Sequence, residues 1–166
     1  MTLTSNVSVN VTSNYSLALD LATKTSNLLR SYSVDLASGT AAAQADMVFH
    51  DQRTLAASAT EDLDVAGVLI DPLTGAAQTY ARIKLLMIIA AAANTNNVQV
   101  QRATANGLAI FMAALDGVEV KPNGCLLIFS PGTGYVCGAG TDLLTITNSA
   151  GTTGVTYDVI IIGASA

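Results

Sequence analysis

The stretch Tyr80-Ala81-Arg82-Ile83-Lys84-Leu85-Leu86-Met87-Ile88-Ile89 opens with polar and apolar residues in alternation and then becomes apolar on both faces. Period-two alternation marks a β-strand, and losing the polar partners is what a strand covered on both sides requires. The segment is therefore predicted to be the central strand of a buried core. It runs into the longest apolar stretch, Leu85 to Ala93, which is far short of the roughly 20 residues needed to cross a bilayer. The positive mean hydropathy, +0.47, is thus assigned to a core and no membrane partner is expected.

Working outward, turn chemistry brackets further short apolar segments. Upstream, Asp71-Pro72-Leu73-Thr74-Gly75 is a turn, because proline presets φ and glycine accepts the positive φ that often follows. Downstream, the polar turn Asn94 to Asn97 leads into Val98-Gln99-Val100-Gln101, a cleanly alternating strand. The turn Lys121-Pro122-Asn123-Gly124 then leads to Cys125-Leu126-Leu127-Ile128-Phe129, a Gly-rich loop at 130–134, and Tyr135-Val136-Cys137. Leu143 to Thr147 and Val155 to Ile162 repeat the scheme around a loop at 148–154. The last of these is too apolar for an exposed edge and belongs mid-sheet or beneath a neighbouring subunit.

Toward the N-terminus, Leu63 and Val65 alternate with acids in a strand with one wet face. The alanines of Thr40 to Val48 suggest one or two turns of connecting helix. Leu17 to Leu36 is ambiguous between strand and helix, and strands are favoured. Val7, Val9 and Val11 alternate with polar partners as an edge strand or extended arm. At least seven short strands without regularly spaced long helices indicate an all-β, antiparallel β-sandwich. The expectation within that class is a jelly roll, with an N-terminal arm region at 1–35, a sandwich domain at 36–166, and one short helix.

Composition narrows the function. The 166 residues suit one domain. Only 11% are charged, less than half the usual share, so much of the surface is expected to be covered. The net charge is −5, and the seven basic residues are scattered, whereas phosphate binding needs them clustered. Direct nucleic-acid binding is not expected. No secretory signal is visible, which places folding in the cytosol. Cys125 and Cys137 could face each other on neighbouring strands, but an intracellular product normally keeps thiols reduced.

Chemistry-bearing constellations are thin. The lone histidine, His50, sits in Phe49-His50-Asp51-Gln52-Arg53 with no nucleophile motif nearby, and reads as a loop-anchoring or surface residue. Glu61, Asp62 and Asp64 cluster, yet Asp62 and Asp64 oppose Leu63 and Val65 as a solvated strand face does, and no calcium-loop pattern accompanies them. One histidine and two distant cysteines do not make a zinc set. Gly132-x-Gly134 and Gly138-x-Gly140 complete no phosphate-binding motif and read as hairpin punctuation. No catalytic residue, cofactor or metal is assigned. Sugar binding would need exposed aromatics, for which Tyr135 at a Gly-rich loop is the one attractive candidate.

The segment Asp46-Met47-Val48-Phe49-His50-Asp51-Gln52-Arg53-Thr54-Leu55, continuing through Glu61-Asp62-Leu63-Asp64-Val65-Ala66-Gly67, resembles small virion proteins of tailed bacteriophages. So do Pro122-Asn123-Gly124, Gly138-Ala139-Gly140-Thr141-Asp142, Leu144-Thr145-Ile146-Thr147-Asn148 and Val155 to Gly163. The resemblance covers roughly Asp46 to Ala166. It implies a jelly-roll decoration, or cement, protein of the capsid surface that forms trimers seated on the major capsid protein. The alternatives are a tail or head-to-tail connector role, or a carbohydrate- or receptor-binding β-module. No active-site residues carry over. The segments expected to make contacts are Val7, Val9 and Val11, then Phe49, His50, Asp51 and Arg53, with Tyr135.

Overall fold

The computed structural model describes residues 2–166, and every regular element among them is a β-strand. In chain order these are β1 (Ser5–Ala18), β2 (Thr23–Ser38), β3 (Gln44–Ala45), β4 (Met47–Leu55), β5 (Thr60–Asp64), β6 (Leu69–Ile70) and β7 (Ala77–Gln78). They continue with β8 (Arg82–Ala90), β9 (Val98–Arg102), β10 (Gly117–Val120), β11 (Cys125–Phe129), β12 (Tyr135–Val136), β13 (Leu143–Asn148) and β14 (Val155–Ala164). Among the described residues no helix is long and apolar enough to cross a membrane.

Two antiparallel sheets share the main core. One has the order β10-β9-β13-β5, the other β11-β8-β14-β4, with β12 also paired to β8. Leu63, Val100 and Ile146 from the first sheet meet Phe49, Ile88 and Ile161 from the second. Burial alternates residue by residue along β13, the period-two pattern its sequence carries. As expected, β8 lies between two other strands, and so does β14, which is how its apolar run avoids an exposed edge. The second sheet is apolar on its outer face too. There Leu85 and Ile162 pack with Val7, Leu36 and Ala45 in a separate cluster.

At the end of β14 the register shifts between Ile162 and Gly163. A side chain at Gly163 would run into the Arg82 carbonyl and the Tyr80 ring. Glycine is needed here for close approach, since the bulge brings β14 hard against the start of β8. The Lys121 to Gly124 turn forms as read, with Asn123 at φ 62 and Gly124 N–H donating to the Lys121 carbonyl at 2.8 Å.

β1 and β2 form one long antiparallel hairpin in continuous register from Ser5 opposite Leu36 to Ala18 opposite Thr23. Strand was the favoured reading of 17–36, but Leu19 to Ala22 are the turn, closed by Leu19 N–H on the Ala22 carbonyl at 2.7 Å. The arm therefore extends well past Val11 and returns to Ser38. Its base is held by the outer-face cluster, while most of its length is exposed.

The short helix expected at 40–48 is absent; those residues form a turn leading into β3 and β4. Alanine propensity is a weak prior, and a single turn costs more to nucleate than it returns. Here Ala43 adopts φ 55 and its N–H donates to the Pro131 carbonyl at 2.8 Å, so tertiary bonding takes the backbone out of any helix. The cysteines are free. Cys125 lies opposite Ile89 and Cys137 N–H bonds Ala81, at opposite ends of β8, which separates them by about 26 Å at the rise of an antiparallel strand.

Candidate interaction surfaces

The residues singled out for contacts divide by location. Val7 is buried at the base of the hairpin, whereas Val9 and Val11 project from it, 38% and 52% exposed. Phe49 is inside the main core. His50 and Asp51 are exposed on β4, in an open depression of about 490 Å³ that Gln52, Asp158 and Ile160 also line. Tyr135 is half-buried in β12, opposite Ile83 and packed against the core, so no loop tip presents it.

Arg53 belongs to a structural cluster. β14 places Tyr157 opposite Arg53, and β5 brings Glu61 alongside. The Arg53 guanidinium donates to Glu61 at 2.6 Å, and the Tyr157 hydroxyl donates to the other Glu61 oxygen at 2.5 Å. Asp51 adds a charge contact 3.2 Å from Arg53 Nε without an aligned hydrogen bond. Burial alone would lower the Arg53 pKa, but the Glu61 hydrogen bond and charge outweigh it and hold it above its ordinary value. Burial, then the Glu61 bond, raises that of the Tyr157 phenol. Because β4 and β5 lie in different sheets, the cluster ties the two together at one margin.

Glu61 was missed as a structural residue. The signal was available, since period two puts position 61 on the same face as Leu63 and Val65, both buried. Asp62 and Asp64 point the other way, accepting from the Thr145 hydroxyl at 2.6 Å and the Ala66 N–H at 2.9 Å. Among the described residues no group of three or more His, Cys, Asp or Glu is placed to hold a metal ion. The Gly132 loop has a different use. Lys84, 1% exposed, donates to the carbonyls of Ala41 and Gly132 at 2.5 and 3.1 Å, binding the turn after β2 to the loop after β11. Burial lowers its pKa.

At the other end of the sheets Asn148 links three loops. Its amide donates to the Ala56 and Thr153 carbonyls at 2.9 and 2.7 Å, and its side-chain oxygen accepts from Asn96 at 3.0 Å. These buried asparagines close loop ends that would otherwise leave backbone carbonyls unpaired.

No family model, curated protein or solved structure matches the chain. Roles must therefore be argued from the surfaces themselves. The hairpin is sharply two-faced. One face carries Val9, Val11, Tyr15, Leu17, Leu28 and Tyr32 in register; the other is mostly Ser, Thr and Asn, with Asn6, Ser8, Ser33 and Asp35 hydrogen-bonded across the pair. The apolar face begins on the molecule's own outer sheet, where Tyr32 meets Phe129 edge to face at 6.1 Å. Beyond that contact it has no partner among the described residues, and Leu21 at the tip is fully exposed.

Proposed function

We propose that the protein is a non-enzymatic structural component of a tailed-phage particle, acting as a capsid decoration protein that associates with itself and with the major capsid protein. The observation that carries this reading is the hairpin, with its row of large apolar side chains exposed to solvent. Contiguous apolar patches of this kind mark surfaces that another protein covers. The scarcity of charge across the chain supports a particle setting, in which several faces are covered at once.

The fold reading that supports it is a jelly roll, one of the β-sandwich forms used by viral capsid domains. Among the eight principal strands, β4 pairs β14, β5 pairs β13, β8 pairs β11 and β9 pairs β10. That is one long folded ribbon, first strand with last and inward to the middle. The additional pairs β8 with β14 and β9 with β13 then wrap the ribbon into two sheets. Such architecture sets no activity by itself. Of the acids that sequence made candidates for chemistry, Glu61 is engaged with Arg53 and Tyr157 and Asp62 with Thr145, while His50 is exposed on β4.

Quantitative mass spectrometry of purified particles tests the reading. A decoration protein occurs in amounts comparable to the major capsid protein. A few copies per particle would replace it with the tail or connector alternative, and absence from particles would refute the virion role.

A further inference from the structure

We infer that the apolar face of the β1–β2 hairpin of one copy lies on the outer face of the β11-β8-β14-β4 sheet of a second copy, each chain giving one arm and receiving another. This deepens the self-association in the proposed function and rests on that part of it alone, whatever particle the protein serves.

Charge is the first argument for a second copy. Of the twelve acids and seven bases, two of each lie in the hairpin and its turn, so the rest of the chain carries the whole net charge of −5. Within the hairpin the distribution is lopsided. Arg30 and Lys24, opposite Val11 and Leu17, stand on the apolar face, which carries no acid. An apolar surface edged only by cations complements an acidic body, and this chain's own body is acidic.

The receiving surface is present in the same molecule. On the outer sheet face Met87, Ile89, Leu127 and Ile160 are half-buried. Asp158 pairs opposite Ile89 on this face. The chain's own hairpin base covers the neighbouring end of this face through Leu36, Leu85 and Ile162. A second arm would thus extend a packing that the fold already makes, with Lys24 and Arg30 near Asp158.

Area is the second argument. Val9, Val11, Tyr15, Leu17, Leu28 and Tyr32 are each 38–73% exposed, leaving on the order of 600 Å² of apolar surface on one hairpin face. Covering it with an equal area of a neighbour buries about 1,200 Å² per contact, within the range of specific interfaces. Because arm and receiving face are different patches, copies join either by exchanging arms about a two-fold or head-to-tail in a ring.

Light scattering on purified protein at tens of micromolar tests this against two variants. Wild type should have a mass of at least twice 16.9 kDa. An arm variant, Tyr15→Ser with Leu17→Glu and Leu28→Glu, should fall to the single-chain mass with its melting temperature nearly unchanged, because those side chains lie outside both cores. A receiving-face variant, Asp158→Lys with Ile89→Lys, also outside both cores, should do the same. Mixing the two should restore one working arm–face pair and give a 1:1 heterodimer. An arm variant that remains oligomeric overturns the arm inference and leaves self-association standing. Monomeric wild type overturns both and assigns the arm to a foreign surface. Two monomeric variants that fail to combine overturn arm-to-sheet docking, and a receiving-face variant that stays oligomeric overturns it in favour of arm-to-arm contact.

Discussion

Replacing Glu61 by alanine removes a carboxylate that satisfies two groups from different strands. The Tyr157 side chain is fully buried, so its hydroxyl would lose the 2.5 Å acceptor with no route to water. An orphaned buried polar group of this kind costs about 1–3 kcal/mol. Arg53 would lose its 2.6 Å bond, but the side chains of that pair are 27% and 23% exposed and solvent can replace the partner, which adds only about 0.5 kcal/mol. The expected loss is therefore about 2–3 kcal/mol, or roughly 4–12 °C in melting temperature for a chain of this size. Glu61→Gln, which keeps an acceptor, should lose about half as much. Urea unfolding at fixed protein concentration, followed by far-UV circular dichroism, measures each. Tyr157→Phe removes the hydroxyl that Glu61 serves, so the double variant should cost clearly less than the two single variants together. Additive effects, or a loss below about 0.5 kcal/mol for Glu61→Ala, would refute the claim that this cluster holds the two sheets at their margin.

Asn148→Ala should cost about 1–3 kcal/mol, since the Ala56 and Thr153 carbonyls and the Asn96 amide each lose one hydrogen bond while each keeps another partner; an unchanged urea midpoint would remove the role given to the network. Gly163→Ala should destabilise by about 1–3 kcal/mol, because the added methyl meets the Arg82 backbone and the Tyr80 ring, and melting curves would show it. Burial pushes the Cys137 thiol up to about 12 from 9.0. Its protonated form is favoured in the fold, so the stability is fully present below pH 9 and is lost as pH rises toward 12. Between pH 8 and 10.5 wild type should lose about 2 kcal/mol more than Cys137→Ala. Cys125, exposed, should react with a thiol reagent in the native protein while Cys137 reacts only on unfolding.

The sheet core was legible because its signals are local. Alternation, bounding turns and the doubly apolar segments 83–89 and 159–162 specify strands and say which lie inside. The helix read into 40–48 failed since alanine propensity says nothing of Pro131, distant in sequence, whose carbonyl takes the Ala43 N–H. The hairpin was read short because Ser13 interrupts the apolar row after Val11, although Tyr15 and Leu17 resume it on the same face. Which strands pair could not be read from periodicity, which is indifferent to partner. For the same reason the Arg53–Glu61–Tyr157 cluster was only half visible: the face of Glu61 is set by its neighbours, its partners by topology.

The placement of β14 between β4 and β8 has a consequence for synthesis. A ribosome makes both flanking strands long before it makes Val155 to Ala164, so throughout that interval each has an edge that lacks its partner. The sheet cannot close by zipping up as the chain emerges; it must wait for a late insertion into a gap held open between early strands. Folding is then gated by translation itself, and the nascent chain is most vulnerable to wrong partners in the seconds before β14 arrives.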